Sequence, residues 1–184
     1  KNNIKNYIYV GTACSYPKKI QYKKNNNYVK EEDVYPLDPE TSYGMSKYLG
    51  EYEANLIKEE MNVGILRLHN VYGPYCNTNL KYSQVIPSLI YKSLLNSKII
   101  NILGTGEEYR DFVYVDDVVD ALILVFKHAM NQGVIQIGSG YPTKIKEVFR
   151  SINNIYKQEN NTNLIPKYDL REKGDFGRIA ILEK

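Results

Sequence analysis

A tyrosine, Tyr43, and a lysine, Lys47, lie four residues apart in the segment YGMSK, at the start of a predicted helix. Side chains with this spacing emerge on one face of a helix. An ammonium group close to a phenol favours the phenolate form, which suits proton transfer to and from a hydroxyl group. The spacing alone is a weak signal, because the chain contains 18 tyrosines and a surface lysine beside a packed tyrosine would give the same pattern.

Two further segments carry side chains suited to chemistry, and each directly follows a predicted strand. The first is GTACSYP at residues 11–17, which offers the hydroxyl of Thr12 and the thiol of Cys14. The second is HNVYGP at residues 69–74, which offers the amide of Asn70. Ligands of open parallel α/β sheets bind beyond the carboxyl ends of the strands, so these two segments are where a functional site is expected.

The alternation of strands and helices along the chain predicts a parallel sheet. Strands separated by helices of ten or more residues pair in parallel and are covered by those helices, so we expect a doubly wound α/β fold. Residues 12–40 are predicted to be mostly loop. The apolar patterns predict strands at residues 7–11, 65–68, 99–103, 112–115 and 134–137, and helices at residues 41–61, 85–96, 116–129 and 143–156, the last with Ile145, Val148, Phe149 and Ile152 facing inward.

Composition and charge argue against several other classes of protein. The chain has 184 residues, of which 43% are hydrophobic and 24% charged, enough for one core and a small additional lobe. Its longest apolar stretch, residues 121–126, is far shorter than the roughly 20 residues that span a bilayer. The net charge of +3 is too small to indicate a nucleic-acid surface. Two cysteines make no disulfide framework, so a cytoplasmic location is expected.

Taken together, the three segments resemble the extended short-chain dehydrogenase/reductase family, the NAD-dependent epimerases and dehydratases. The order is the family's: a hydroxyl residue after a strand, then a Tyr-x-x-x-Lys helix, then an Asn-x-Tyr-Gly-Pro loop. GTGEEYRDFVYVDD at residues 104–117 is similar to the family's substrate-domain segment, so the resemblance covers nearly the whole chain. It implies a Rossmann-like sheet with a small substrate-binding lobe, NAD or NADP as cofactor, and a nucleotide-sugar substrate.

The resemblance implies catalytic and cofactor-binding roles for three residues. Tyr43 would act as the general acid/base for a sugar hydroxyl during hydride transfer. Lys47 would contact the nicotinamide ribose, and Thr12 would hydrogen-bond the substrate hydroxyl or the tyrosine. All three residues would therefore lie against the cofactor.

The resemblance also implies substrate-binding residues. Asn70 and Gln84 would bind the sugar or diphosphate side of the substrate, and Arg110 would neutralise the pyrophosphate through charge-assisted hydrogen bonds. Near the end of the chain, Arg178 would reach phosphate from a loop that closes over the nucleotide. Arg171 and Asp175 belong to the same loop.

Cys14 indicates the subgroup. The pattern Ala-Cys-x-Tyr-Pro resembles the GDP-mannose 3,5-epimerases and the GDP-fucose synthases, both of which use that cysteine as one acid/base for carbon epimerisation. The synthases carry a histidine in a Ser-His-Val-Ile-Pro segment, but this chain has Gln84 there, and an amide cannot exchange protons at neutral pH. The epimerases use a lysine near that point, and the nearest lysine is Lys81, which is a candidate for the second acid/base.

These observations favour an NAD(P)-dependent epimerase that acts on a GDP-hexose through a transient 4-keto intermediate. Three alternatives remain open: a GDP-fucose-synthase-type epimerase-reductase that uses NADPH, a UDP-sugar 4-epimerase or dehydratase, and a non-catalytic relative. Asp116 and Asp117 at a helix N-terminus are ordinary dipole partners, so no metal is predicted. A homodimer is expected for the full-length protein.

No Gly-x-Gly-x-x-Gly loop follows a strand in this chain, whereas the family carries that loop at the start of the domain. We therefore expect a chain that lacks the N-terminal half of its Rossmann domain. Residues 1–75 would form the C-terminal half of the dinucleotide-binding domain, with the catalytic helix. Residues 76–184 would form mostly the substrate-binding lobe, with a strand at about residues 133–138 returning to the Rossmann sheet.

Overall fold

The computed structural model describes residues 4–23, 27–95, 98–169 and 177–182. Short 3-10 turns at Ala13–Ser15, Glu31–Val34 and Ile57–Glu59 join some of its elements. The strands and helices are, in chain order, β1 (Asn6–Thr12), α1 (Lys18–Gln21), β2 (Tyr28–Val29), α2 (Ser42–Leu56), β3 (Asn62–Leu68), β4 (Asn70–Tyr72), α3 (Val85–Leu94), β5 (Ile99–Leu103), β6 (Tyr109–Tyr114), α4 (Val115–His128), β7 (Val134–Ile137), β8 (Pro142–Lys144), α5 (Ile145–Asn160), β9 (Ile165–Asp169) and β10 (Ile179–Ala180).

A three-stranded parallel sheet in the order β1-β3-β7 positions the polar segments. Thr12 at the end of β1 lies opposite Leu68 at the end of β3, and Leu68 in turn lies opposite Ile137 at the end of β7. Because the three strands are parallel and end level with one another, the residues that follow them meet at one edge of the sheet. The predicted α/β class with a parallel sheet is confirmed.

Three further sheets accompany the β1-β3-β7 sheet, two of them with two strands and one with three. β2 pairs with β10 and β5 pairs with β9, both in parallel. β6 pairs in parallel with β4 and antiparallel with β8. The pairing of β2 with β10 joins residues near positions 28 and 180, so the last described segment of the chain returns to the neighbourhood of the first strands.

Two apolar cores support these sheets, and a third cluster of buried apolar side chains surrounds Tyr16. One lies between α2 and the parallel sheet and contains Ala54, Val63 and Ile65. The other lies between α3, α5 and β5. Its buried residues are Leu89, Ile100, Ile102, Ile145, Val148, Phe149 and Leu164, and Ile152 packs against them, as the amphipathic pattern of the last helix predicts. The division into a dinucleotide-binding part and a substrate-binding lobe stays a prediction.

Several short elements differ from the sequence prediction. The predicted loop over residues 12–40 contains α1, β2 and two 3-10 turns, which are too short to show a periodic pattern. The predicted last helix begins later, because Pro142–Lys144 pair with β6 as β8. β3 begins at Asn62 because it pairs with β1 from Asn6 onward. Among the residues described, no helix combines the length and apolar character that crossing a bilayer requires.

Candidate active site

A cleft of about 250 Å³ opens where β1 and β3 end, and we call it the strand-end cleft. Its walls come from the turn after β1, the segment that joins β3 to β4, strand β6, and the segment just before β10. Five of the residues singled out in the sequence line it: Thr12, Cys14, Asn70, Arg110 and Arg178.

The turn after β1 presents a thiol to this cleft. Thr12 ends the strand, and its Oγ1 accepts a hydrogen bond from the backbone N–H of Cys14 at 3.3 Å, which caps the 3-10 turn Ala13–Ser15. Cys14 is exposed and its thiol is free. The hydroxyl of Thr12 therefore shapes the turn that holds the thiol, in addition to lining the cleft.

The first turn of α2 packs directly against that 3-10 turn. A Cβ atom placed on Gly44 would lie 2.3 Å from the carbonyl oxygen of Cys14, so only glycine permits this approach. Thr41 caps the helix by accepting the N–H of Gly44 at 3.1 Å, and Ser15 Oγ donates to the carbonyl oxygen of Gly44 at 3.4 Å. Tyr43, which is 54% exposed, is thereby held on the first turn of a helix that touches the Cys14 turn.

Lys47 lies one turn further along α2 and contacts β1. Its Nζ is 4.9 Å from the ring centroid of Tyr9, and the hydroxyl of Tyr9 donates to the carbonyl oxygen of Lys47 at 2.9 Å. Burial, and then the neighbouring Tyr7 and Glu51, raise the pKa of Tyr9, so its phenol stays a donor. Tyr43 and Lys47 are not among the residues that line the strand-end cleft; they occupy the adjoining surface of α2.

A buried ion pair ties α2 to β3. Arg67 and Glu51 are both almost fully buried, and the guanidinium binds the carboxylate through two hydrogen bonds, one of them 3.2 Å from Nε to Oε2. Arg67 also donates to the carbonyl oxygen of Glu31 at 2.8 Å and lies 4.7 Å from the ring centroid of Tyr16. Burial raises the pKa of Tyr16 to about 12, although Arg67 opposes the shift.

His69 forms part of the floor of the cleft, and Gln136 fixes its orientation. The amide Nε2 of Gln136 donates to the carbonyl oxygens of Val29 at 2.7 Å and Ile181 at 2.9 Å, so its Oε1 is the acceptor. Oε1 lies 3.2 Å from Nε2 of His69 and 3.1 Å from the hydroxyl of Tyr16, and both therefore donate to it. Burial lowers the pKa of His69, although Asp111 opposes the shift.

Asp111 fixes the segment that carries Arg178. Its buried carboxylate accepts from the backbone N–H and hydroxyl of Ser139 at 2.6 and 2.7 Å, from the N–H of Ala180 at 2.9 Å and from that of Gly140 at 3.2 Å. On the other side of Arg178, Asn27 Nδ2 donates to the carbonyl oxygen of Gly177 at 2.9 Å. Arg178 thus reaches the cleft from a segment anchored on both sides.

Arg110 joins the strand-end cleft to a second one. This α3–β5 cleft has a volume of about 290 Å³ and is also lined by Ser83, Lys92, Asn101 and Leu103. The guanidinium of Arg110 donates from Nη1 to the carbonyl oxygen of Tyr109 at 2.8 Å. Lys92 donates from Nζ to the carbonyl oxygen of Asn101 at 2.9 Å. A single cationic side chain therefore faces both clefts.

The sequence model of the NAD dependent epimerase/dehydratase family matches residues 1–138. The chain belongs to this family. The resemblance read from the strand-end segments and the Tyr-x-x-x-Lys helix is confirmed.

Known members of the epimerase/dehydratase family show how much of a whole protein this chain represents. A putative UDP-glucose 4-epimerase of Methanocaldococcus jannaschii is 34% identical over 84% of the chain and 49% of that protein. The GDP-mannose 3,5-epimerase of Arabidopsis thaliana is 26% identical over 80% of the chain and 39% of that protein. The chain thus spans about half or less of the length of these curated relatives.

A solved structure confirms the fold. The UDP-N-acetylglucosamine 4-epimerase from Methanobrevibacter ruminantium, in complex with UDP-N-acetylmuramic acid, superposes with a TM-score of 0.80 at 29% identity. The superposition covers 99% of this chain and 56% of that one. The Rossmann-like assignment made from the sequence is therefore correct.

Among the predicted site residues that the structure describes, Tyr43, Lys47, Lys81 and Gln84 line neither cleft. Lys81 is exposed, and its ammonium lies 5.3 Å from the ring centroid of Tyr82. Gln84 is the exposed N-cap residue of α3, and its neighbours Ser83 and Val85 line the α3–β5 cleft while Gln84 does not. Arg171 and Asp175 lie outside the described residues.

Three polar side chains that line the strand-end cleft were not assigned to the site from the sequence: Gln21, Glu40 and His69. His69 directly precedes Asn70, and its place after a strand was a signal that could have marked it. Gln21 ends the four-residue helix α1, which is too short to show a periodic pattern, and Glu40 belongs to an irregular segment. Within residues 4–23, 27–95, 98–169 and 177–182, no group of three or more His, Cys, Asp or Glu side chains is arranged to hold a metal ion.

Proposed function

We propose that the chain is the catalytic and substrate-binding part of an NAD(P)-dependent nucleotide-sugar epimerase that acts on a GDP-hexose through a transient 4-keto intermediate. The observation that carries the proposal is the strand-end cleft, which gathers Thr12, Cys14, Arg110 and Arg178 beside the first turn of α2. Its volume of about 250 Å³ is at the lower end for small-molecule sites, which suits one sugar ring better than a whole nucleotide sugar.

The position of Arg110 suggests how the substrate is divided between the two clefts. An arginine that faces both clefts is suited to a diphosphate placed at their junction, because the guanidinium forms paired, charge-assisted hydrogen bonds with phosphate oxygens. The sugar would then occupy the strand-end cleft, with Asn70 and Arg178 beside it, and the nucleoside would lie in the α3–β5 cleft near Gln84.

The side chains at the start of α2 fit the ribose end of a nicotinamide dinucleotide. Tyr43 offers an exposed hydroxyl, and Lys47 offers an ammonium packed on the Tyr9 ring. A bound nicotinamide would supply reversible hydride transfer at the sugar carbon. Tyr43 would take the proton of the sugar hydroxyl, Lys47 would bind the ribose, and Thr12 would orient the hydroxyl.

Cys14 would carry the chemistry that separates this enzyme from a simple 4-epimerase. A ketone at C4 acidifies the neighbouring C–H bonds of the sugar, and a thiol in the same cleft can exchange such a proton. Cys14 and Cys76 are both free, as a reducing compartment requires, and we propose a cytoplasmic location.

The test is to incubate the full-length protein with GDP-mannose and with GDP-4-keto-6-deoxymannose, each with and without NADPH, and to identify products by NMR. We expect epimerised GDP-hexose from GDP-mannose without net consumption of NADPH. Consumption of NADPH with the keto sugar would favour the epimerase-reductase alternative. Turnover of neither substrate would contradict the proposal.

A UDP-sugar 4-epimerase is the second candidate, because the M. jannaschii relative described as a putative UDP-glucose 4-epimerase is 34% identical. That reaction exchanges hydride and hydroxyl protons at C4 alone and gives Cys14 no role. Replacing Cys14 by alanine therefore separates the two candidates: a 4-epimerase keeps its activity, and a 3,5-epimerase loses it.

We also propose a homodimer. α2 presents four large apolar side chains to solvent, with exposed fractions from 36% to 60%. Burying such a face against its two-fold mate would remove apolar surface from water and stabilise the pair. These residues are Met45, Leu49, Tyr52 and Leu56.

A further inference from the structure

Carbon epimerisation needs two proton-exchanging groups, one on each face of the sugar carbon, and Cys14 supplies only one. Of the described residues that line the strand-end cleft, five carry ionisable side chains: Cys14, Glu40, His69, Arg110 and Arg178. Lys81 and Gln84 are not among the residues of this cleft. The second group is therefore to be sought among the other four ionisable side chains.

Three of those four are unsuited to the task. An arginine does not give up its proton in proteins, which removes Arg110 and Arg178. The side chain of His69 has no solvent-exposed surface, so a bound sugar does not reach its ring nitrogens. A carboxyl group both accepts and donates protons, so Glu40 remains.

Glu40 is held in place by α1 and the residue after it. Gln21, which is only 4% exposed, donates from Nε2 to Oε2 of Glu40, and the hydroxyl of Tyr22 donates to Oε1. Gln21 also lines the cleft, so its buried amide holds the Glu40 carboxylate at the wall of the cleft.

We propose that Glu40 is the second catalytic acid/base of this site and works as the partner of Cys14; this inference rests on the proposed GDP-hexose epimerase function. The Glu40 carboxylate takes the proton from the carbon next to the 4-keto group, and the electron pair of the broken C–H bond moves to the ketone oxygen as an enolate. The Cys14 thiol then gives its proton to the other face of that carbon, and the ketone re-forms. Exchange with water returns Glu40 to the carboxylate and Cys14 to the thiol.

The test compares the Glu40→Gln protein with the unaltered protein on GDP-mannose in deuterated water. NMR measures deuterium entry at the carbons next to C4, and the absorbance of reduced nicotinamide measures the hydride step separately. We expect Glu40→Gln to slow deuterium entry and epimer formation by at least about 100-fold, with the hydride step and the unfolding temperature unchanged. The matched control is Glu32→Gln, which alters an exposed carboxylate outside the cleft and should behave as the unaltered protein.

Three other outcomes would overturn the role of Glu40, and a fourth would overturn the proposed function. Deuterium entry at the unaltered rate in Glu40→Gln would show that Glu40 moves no proton. Loss of the hydride step together with a lower unfolding temperature would assign Glu40 to the fold instead. Hydride transfer without deuterium entry in the unaltered protein would indicate chemistry at C4 alone. An unaltered protein that shows no hydride step with a GDP-hexose would instead contradict the proposed function.

Discussion

The two clefts that meet at Arg110 are built in different ways. The floor and rim of the strand-end cleft are fixed by buried polar groups, with His69 and Gln136 beneath it and Asp111 holding the segment of Arg178. Part of the wall of the α3–β5 cleft belongs to the second apolar core, whose Leu89, Ile102 and Ile145 line the cleft.

This difference indicates what each cleft is built to do. Hydrogen bonds are directional, and a satisfied buried network fixes the angles of the side chains it holds. Apolar packing fixes shape and volume but tolerates exchange among side chains of similar size. Proton transfer depends on atomic positions, whereas holding a nucleoside depends mainly on shape. The cleft that is fixed by hydrogen bonds therefore suits the chemistry, and the cleft that is partly walled by the second apolar core suits binding.

The largest effect is expected from Tyr43→Phe, which removes one oxygen atom at the start of α2. We expect the turnover rate to fall by about 100- to 10,000-fold, because the proton of the sugar hydroxyl loses its acceptor. Stability should not change, since Tyr43 is 54% exposed. Steady-state kinetics and thermal unfolding measure the two quantities. Tyr52→Phe, on the same helix and 51% exposed, is the matched control, and retained turnover in Tyr43→Phe would remove the role assigned to Tyr43.

Arg67→Met tests whether the polar scaffold holds the strand-end cleft. The variant leaves the Glu51 carboxylate buried without its cation, which should lower the free energy of unfolding by about 3–5 kcal/mol. Denaturant unfolding followed by circular dichroism measures it. The double variant Arg67→Met with Glu51→Leu should recover most of the lost stability but not all of the activity. In this variant α2 would keep its apolar packing but lose the hydrogen bonds between Glu51 and Arg67 that orient it against β3. Full activity in the double variant would show that the ion pair does not position α2.

Leu89→Ala is the corresponding change in the α3–β5 cleft. Leu89 is 3% exposed in the second core, so truncation should cost about 2–5 kcal/mol of unfolding free energy. We expect the KM for the nucleotide sugar to rise while kcat changes little, because the altered wall holds the nucleoside and not the reacting carbon. Leu94→Ala, on the same helix and 68% exposed, is the control. A loss confined to kcat would contradict the division of tasks between the clefts.

The sequence was most informative where apolar periodicity and strand order determine position. The pattern of the last helix identified Ile145, Val148 and Phe149 as core residues, and they are buried. Thr12 and Cys14 were assigned to the end of a strand, and the level ends of β1 and β3 bring them to one cleft with Asn70.

What could not be predicted depends on segments without periodicity and on contacts between distant residues. Glu40 reaches the cleft from an irregular segment whose path is set by contacts with α1. Asp111 accepts a hydrogen bond from the backbone N–H of Ala180, 69 residues away. The residues next to Asp111 in the sequence give no sign of such a contact. Lys81 was chosen as the lysine nearest in sequence to Gln84, and the structure places it on the exposed surface.

The smallest effect is the contribution of His69, in the floor of the strand-end cleft, to the pH dependence of stability. In the unfolded chain His69 has its ordinary pKa of 6.5, and burial lowers that pKa in the folded protein. Below pH 6.5 the unfolded chain therefore binds more protons than the folded one, so stability should fall as the pH falls towards the lower, folded pKa of His69. His69→Asn should remove this part of the dependence, whereas the same change at His128, the exposed second histidine, should leave it. The measurement is the unfolding temperature from pH 7 to pH 5, and parallel curves for His69→Asn and the unaltered protein would contradict a neutral, buried His69.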